Sequence, residues 1–199
     1  MRSPSRTLIA DRAQLRALAS PARQELLDLL VRAGAASAAE LGRLVGRPAD
    51  GLYYHLRALE RVGLIHADGL EEGTGRKGAR YRAVHREPAI RHDATPGGNS
   101  RDVTAIVASM LRLGARDFRR ASALPGVRTQ EPGRELWALR VTGRLTPAQV
   151  TEANRAIRAL RDTVGRPGGK GKLYAITILL APLEHRARKR QRRPRKKRP

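Results

Sequence analysis

The stretch Ser37–Val62, SAAELGRLVGRPADGLYYHLRALERV, decides how the rest of the chain is read. Ser37 and Glu40 stand at the S-x-x-E spacing in which each side chain satisfies the other's backbone N–H at a helix start. Leu41, Leu44 and Val45 give the helix that follows one apolar side, and Gly46 is the residue type that accepts a left-handed turn at its end. Pro48 suits the first turn of a second helix, where its missing N–H costs nothing. Leu52, Leu56, Leu59 and Val62 then recur at steps of four, three and three, which makes one buried stripe. The opposite face of this helix, predicted over 48–62, carries Asp50, Tyr53, Tyr54, Arg57 and Arg61.

Upstream, Leu8, Leu15 and Leu18 anchor a short helix predicted from about Asp11, after a frayed basic start over residues 1–6. Ser20-Pro21 reads as a cap followed by proline at the first helical position. Leu26, Leu27, Leu29, Leu30 and Val31 make the next helix broadly apolar, to about Arg32, and Gly34 ends it. Downstream, Gly63 closes the second helix of the motif. Leu64–Ala67 and Ala79–Val84 read as two strands around the glycine-rich, charged loop DGLEEGTGRKG, a β-hairpin with a long tip. A capped helix, a tight turn and a helix with a polar, basic, aromatic face follow the helix-turn-helix plan, whose second helix lies in the major groove of DNA. For residues 37–62 alone, an αα-hairpin with a solvated outer face is the plainer alternative. Arg76, Lys77 and Arg80 sit where a hairpin tip reaches a phosphate backbone, with Glu71 and Glu72 partly offsetting their charge.

Taken together, QLRALASPARQELLDLL (Gln14–Leu30), AAELGRLVG (Ala38–Gly46), LYYHLRALERVGLI (Leu52–Ile65) and GRKGARYRAV (Gly75–Val84) resemble the winged helix-turn-helix regulators of the ArsR type. The resemblance covers under half the chain. It implies a DNA-binding domain over 7–85, with helix 48–62 in the major groove and the wing 65–84 on the backbone. It also implies that a helix after the wing packs against its copy in a second subunit; packing within the same chain is the alternative. Two departures stand out. The recognition helix opens with Arg47, Pro48, Ala49, Asp50 and Gly51 where many members carry hydroxyl-bearing residues. The cysteine pairs of metal-sensing members have no counterpart, because the chain has no cysteine.

Beyond the hairpin, REPAIRHDATPGGNS (86–100) has no periodicity and reads as a linker. Val103, Ile106, Val107, Met110, Leu111 and Leu113 mark an amphipathic helix over 101–124, continued by Phe118 and expected to serve dimerisation. After a loop at 125–133 the pattern becomes strand–helix–strand over 134–182. Residues 135–142 alternate, Thr146, Pro147 and Gln149 form a second capping box, and Val150, Ala153, Ile157, Leu160 and Val164 repeat at three and four. That stripe suits a helix on a sheet or a two-helix seam. LYAITILL (173–180) is a nearly continuous apolar strand, expected to be covered on both faces. This small α/β module is expected to complete a dimer or enclose a pocket. The fold class is therefore α+β: a mainly helical winged domain, a long helix, the small module, and a basic tail over 184–199 expected to be disordered.

Charge points the same way. The 199 residues carry a net charge of +23. Ten basic residues lie between Arg186 and Arg198; the 31 others against 18 acidic residues still leave +13. Such a field favours a polyanion, either nucleic acid or an acidic membrane surface, although arginine-rich, lysine-poor usage also accompanies GC-rich coding. The tail lacks the amphipathic helix that a membrane surface needs. With hydrophobic residues at 40% and only six aromatics, the core rests on Leu, Ile, Val and Ala. No cysteine means no disulfide and no thiolate metal site, which fits a cytosolic protein. The start of the sequence has no secretory h-region, and Leu173–Pro182, the longest apolar run, is too short to span a bilayer. His55, His66, His85 and His92 show no paired metal-ligand spacing. No catalytic motif is present: Gly73-Thr74-Gly75 and Gly168–Gly171 are glycine-rich but lack the strand and helix flanks of a nucleotide site.

The expected function is that of a non-metal-sensing, homodimeric, cytoplasmic DNA-binding regulator without cofactor or catalysis. Tyr53, Tyr54 and Arg57, with Asp50, would read bases; Arg47, Arg61, Arg76, Lys77 and Arg80 would hold phosphates. Two alternatives stand beside it: sequence-independent binding of DNA or RNA through the tail, and a protein-interaction module. No effector is named by any motif.

Overall fold

The computed structural model describes residues 7–70, 79–86, 88–165 and 171–183. Among them the chain forms six helices and five short strands, an α+β architecture. The wing tip at 71–78 and the tail at 184–199 lie outside the described residues.

Local chemistry sets the helix ends. α1 (Arg12–Leu18) starts where the Asp11 side chain accepts from the Gln14 N–H at 3.0 Å. α2 (Pro21–Ala33) carries proline in its first turn and ends at Gly34, φ +80°. Its cap residue, Ser20, makes no side-chain cap hydrogen bond, so the proline rather than the serine marks this start. In α3 (Ala38–Val45) both halves of the capping box form: the Ser37 N–H donates to Glu40 Oε2 at 2.7 Å and the Glu40 N–H to Ser37 Oγ at 3.3 Å. Gly46 then takes the left-handed conformation, φ +66°. α4 spans Asp50–Arg61, two residues later than expected. Pro48 and Ala49 already turn, their carbonyls accepting from the N–H groups of Gly51 and Leu52. Gly63, φ +69°, ends α4, with the Leu64 N–H reaching the Leu59 carbonyl and the Gly63 N–H reaching Glu60. This paired closure satisfies two otherwise orphaned carbonyls.

Leu15, Leu26, Leu30, Leu41, Leu52, Leu56, Leu59, Leu64 and Ile65 are fully buried together. Each such side chain contributes about 1.5–3 kcal/mol relative to exposure. Leu44, expected on the apolar side of α3, is exposed. Ala38, Leu41 and Val45 face inward instead. The wing is a three-stranded antiparallel sheet in the order β2–β4–β3, built from β2 (Ala35–Ser37), β3 (Ile65–Leu70) and β4 (Ala79–Ala83). The sequence pattern shows β3 and β4; β2 is too short to leave a period and forms by pairing with β4, Ser37 opposite Arg80.

β1 (Thr7–Ile9) runs parallel to β5 (Pro88–Ile90). The segment expected as a linker is therefore anchored. Buried Asn99 accepts from the Asp93 N–H at 2.8 Å and donates to the Arg91 carbonyl at 2.7 Å, while Arg12 donates to the Gly97 carbonyl. α5 (Ser100–Ser122) then packs on α1 and α2 of its own chain through Ile106 and Ser109, leaving Leu111 and Phe118 exposed. Gln24 Nε2 links the carbonyls of Leu18 and Ile106, and Arg116 forks onto Glu25 at 2.6 and 2.9 Å.

The expected strand–helix–strand module is only partly realised. α6 (Pro147–Val164) forms with its Thr146–Gln149 capping box, but it has no buried residue. Residues 134–146 and 171–183 form no strand. Alternation measures how well a segment would sit on a pleated surface. A strand also needs a neighbouring edge, and two lone strands are marginal in water.

Candidate nucleic-acid interface

α4 turns Leu52, Leu56 and Leu59 into the core, and this sets what its other side can offer. Tyr54 is 71% exposed, and Asp50, Arg57 and Arg61 are exposed beside it. Among the described residues the Arg57 and Arg61 guanidinium groups make no hydrogen bond or ion pair, so both are free to meet phosphate oxygens or base edges. Arg47, in the turn before α4, is half-buried.

Two of the expected contact residues, Tyr53 and Arg80, are placed differently. Tyr53 is half-buried and packs against the core, so Tyr54 alone presents an aromatic ring outward. Two tyrosines adjacent in sequence point 100° apart on a helix, and only one clears the packed helices beneath. Arg80 does not reach toward the wing tip. Its Nη2 donates to the Ala35 carbonyl at 2.8 Å and its Nη1 stands 3.1 Å from Glu40 Oε2, so it fastens β4 to β2 and to the cap of α3. Arg82, exposed on β4, pairs with Asp68 at 2.6 Å. Arg76 and Lys77 lie outside the described residues.

The supporting residues tune this face. The Glu40 carboxylate is held below its ordinary pKa, first by the Ser37 backbone N–H and also by Arg80. His55 meets the Tyr54 ring edge-on, centroids 5.4 Å apart. Its Nδ1 is buried without a hydrogen-bond partner among the described residues. Burial, then the charges of Arg23 and Arg47, lower its pKa, so the ring is neutral at neutral pH. Among the described residues no three His, Asp or Glu side chains converge as metal ligands do.

Two positions not singled out by sequence pattern hold the motif's geometry. A Cβ on Gly42 would stand 2.7 Å from the Arg47 carbonyl oxygen, so α3 and the turn meet where only glycine fits. Gln14 Nε2 donates to the Val62 carbonyl at 2.9 Å, clasping α1 to the end of α4. A glycine in mid-helix is a readable signal of close approach; the Gln14 contact leaves none.

Residues 18–66 match the family model described as a helix-turn-helix domain, of the winged type. The match runs from the end of α1 through α4 to the start of β3. No curated protein matches the chain. The chain thus carries a helix-turn-helix domain, the class of fold with which DNA-binding regulators enter the major groove. Among the described residues no helix is long and apolar enough to cross a membrane.

Proposed function

We propose that this chain is a transcription regulator of the ArsR type that binds double-stranded DNA as a cytoplasmic homodimer and senses no metal through thiolates. One observation carries the reading: α4 commits its leucines to a closed core and holds Tyr54, Arg57 and Arg61 outward on a rigid helix. Arg57 and Tyr54 read bases, with Asp50 accepting from a cytosine amine. Arg47, Arg61 and the wing residues Arg76 and Lys77 neutralise phosphates. Two copies would place two such helices on a pseudo-palindromic site, half-sites about one helical turn apart. The chain acts without catalysis.

Selection of bound fragments from random duplex DNA tests this. The expected result is enrichment of a two-fold-related site. Retention of fragments without any shared sequence sinks specific regulation.

The second reading, sequence-independent nucleic-acid binding, is favoured by the ten basic residues between Arg186 and Arg198. Deleting 186–199 separates the two. A specific regulator keeps its site preference with a shallower salt dependence; a tail-driven binder loses affinity for every duplex.

A further inference from the structure

We infer that residues 134–183 form the pairing surface for a second copy of this chain, strand segment against strand segment, with α6 lying on the sheet so made. This deepens the two-copy reading above and rests on it.

The first observation is exposed apolar surface. Of the 21 large hydrophobic side chains left exposed among the described residues, 14 lie between Trp137 and Leu183. Trp137 is 59% exposed, Leu139 77% and Val141 76%. The largest apolar patch on an ordinary monomer is roughly 300–600 Å² and a stable interface takes about 800 Å² from each partner, and a stretch with this many exposed apolar side chains has the material for one.

The second observation is backbone. Residues 136–145 and 173–183 make no backbone hydrogen bond among the described residues. The two segments nevertheless start side by side. Glu135 Oε1 accepts from Lys172 Nζ at 3.0 Å and from the Tyr174 hydroxyl at 2.6 Å, and Oε2 accepts from the Arg128 N–H. Glu135 thus ties the start of one segment to the start of the other, and neither is strand-paired among the described residues.

The third observation selects the occupant. Leu173–Pro182 carries no charge, so two copies meet along that segment without repulsion. A two-fold interface uses the same patch on both subunits. A second copy brings unpaired segments of matching length and an equal apolar stripe on α6, from Val150 to Val164.

The test uses the full chain without DNA, so that loss of pairing and loss of DNA binding are read separately. Sedimentation velocity across micromolar concentrations should give twice the 21.9 kDa chain mass. Hydrogen exchange should show protected amides at 136–142 and 173–180. The L139D/I176D double variant should sediment as one copy and lose that protection, while amides of α4 stay protected. A one-copy mass for the unmodified chain overturns the inference. So does a two-copy mass that survives L139D/I176D with amides 136–142 and 173–180 unprotected.

Discussion

The Arg47 carbonyl oxygen lies 2.7 Å from the point where a Cβ on Gly42 would stand. The Arg47 N–H also donates to the Gly42 carbonyl at 2.9 Å, so the turn of the motif folds back onto α3 at this glycine. Gly42→Ala forces backbone apart and should cost about 1–3 kcal/mol, the range of overpacked sites. Gly51 lies in the first turn of α4 with nothing within 4 Å of its Cβ position. Gly51→Ala should therefore gain up to about 1 kcal/mol from helix propensity. Urea unfolding of the two variants checks the opposite signs.

The capping box makes stability depend on acid. Glu40 is an acid whose folded pKa lies below its ordinary 4.5, so its contribution is complete above that value and fades as pH falls through the folded one. Glu40→Gln should flatten that part of the profile, measured by denaturant midpoints from about pH 7 to about pH 3. Ser37→Ala removes the reciprocal acceptor and should cost about 1 kcal/mol.

Arg57 and Arg80 should separate binding from stability. Arg57→Ala removes an unpartnered exposed group, so stability should stay within about 0.5 kcal/mol. Specific DNA binding should weaken by about 1–3 kcal/mol with relaxed preference at one base pair. Arg80→Ala strands Glu40 and the Ala35 carbonyl, so the unfolding midpoint should fall. Equal losses of cognate and random DNA binding in the Arg57 variant would contradict base reading.

The α2–α5 fork predicts a local effect. Glu25 and Arg116 are both mostly buried side chains, so removing one leaves a charge poorly solvated. Arg116→Ala should raise amide exchange along α5 while α3 and α4 keep theirs, read residue by residue.

What the sequence discloses here is what short range determines. The Ser37–Glu40 cap, the Leu52–Leu56–Leu59 stripe and the glycines at 34, 46 and 63 are contained within one or two helical turns, and each stands where the pattern puts it. The β1–β5 pair joins residues about eighty positions apart through three residues each, which leaves no period to find. Arg80 was legible as a basic hairpin residue, but its use depends on β2, a strand created by pairing rather than by propensity. Tyr53 and Tyr54 look alike in sequence; which one emerges depends on the helices packed beneath α4. Residues 135–142 and 173–180 have strand-like composition, but composition does not name the neighbouring edge.

The Arg80 guanidinium makes the wing mechanically continuous with the supporting helix. It holds the root of the hairpin and the opening turn of α3 with one planar group. A force on the hairpin is delivered to the helix that seats α4. If the proposed function holds, the wing's hold on a duplex and the placement of α4 are coupled through this one group.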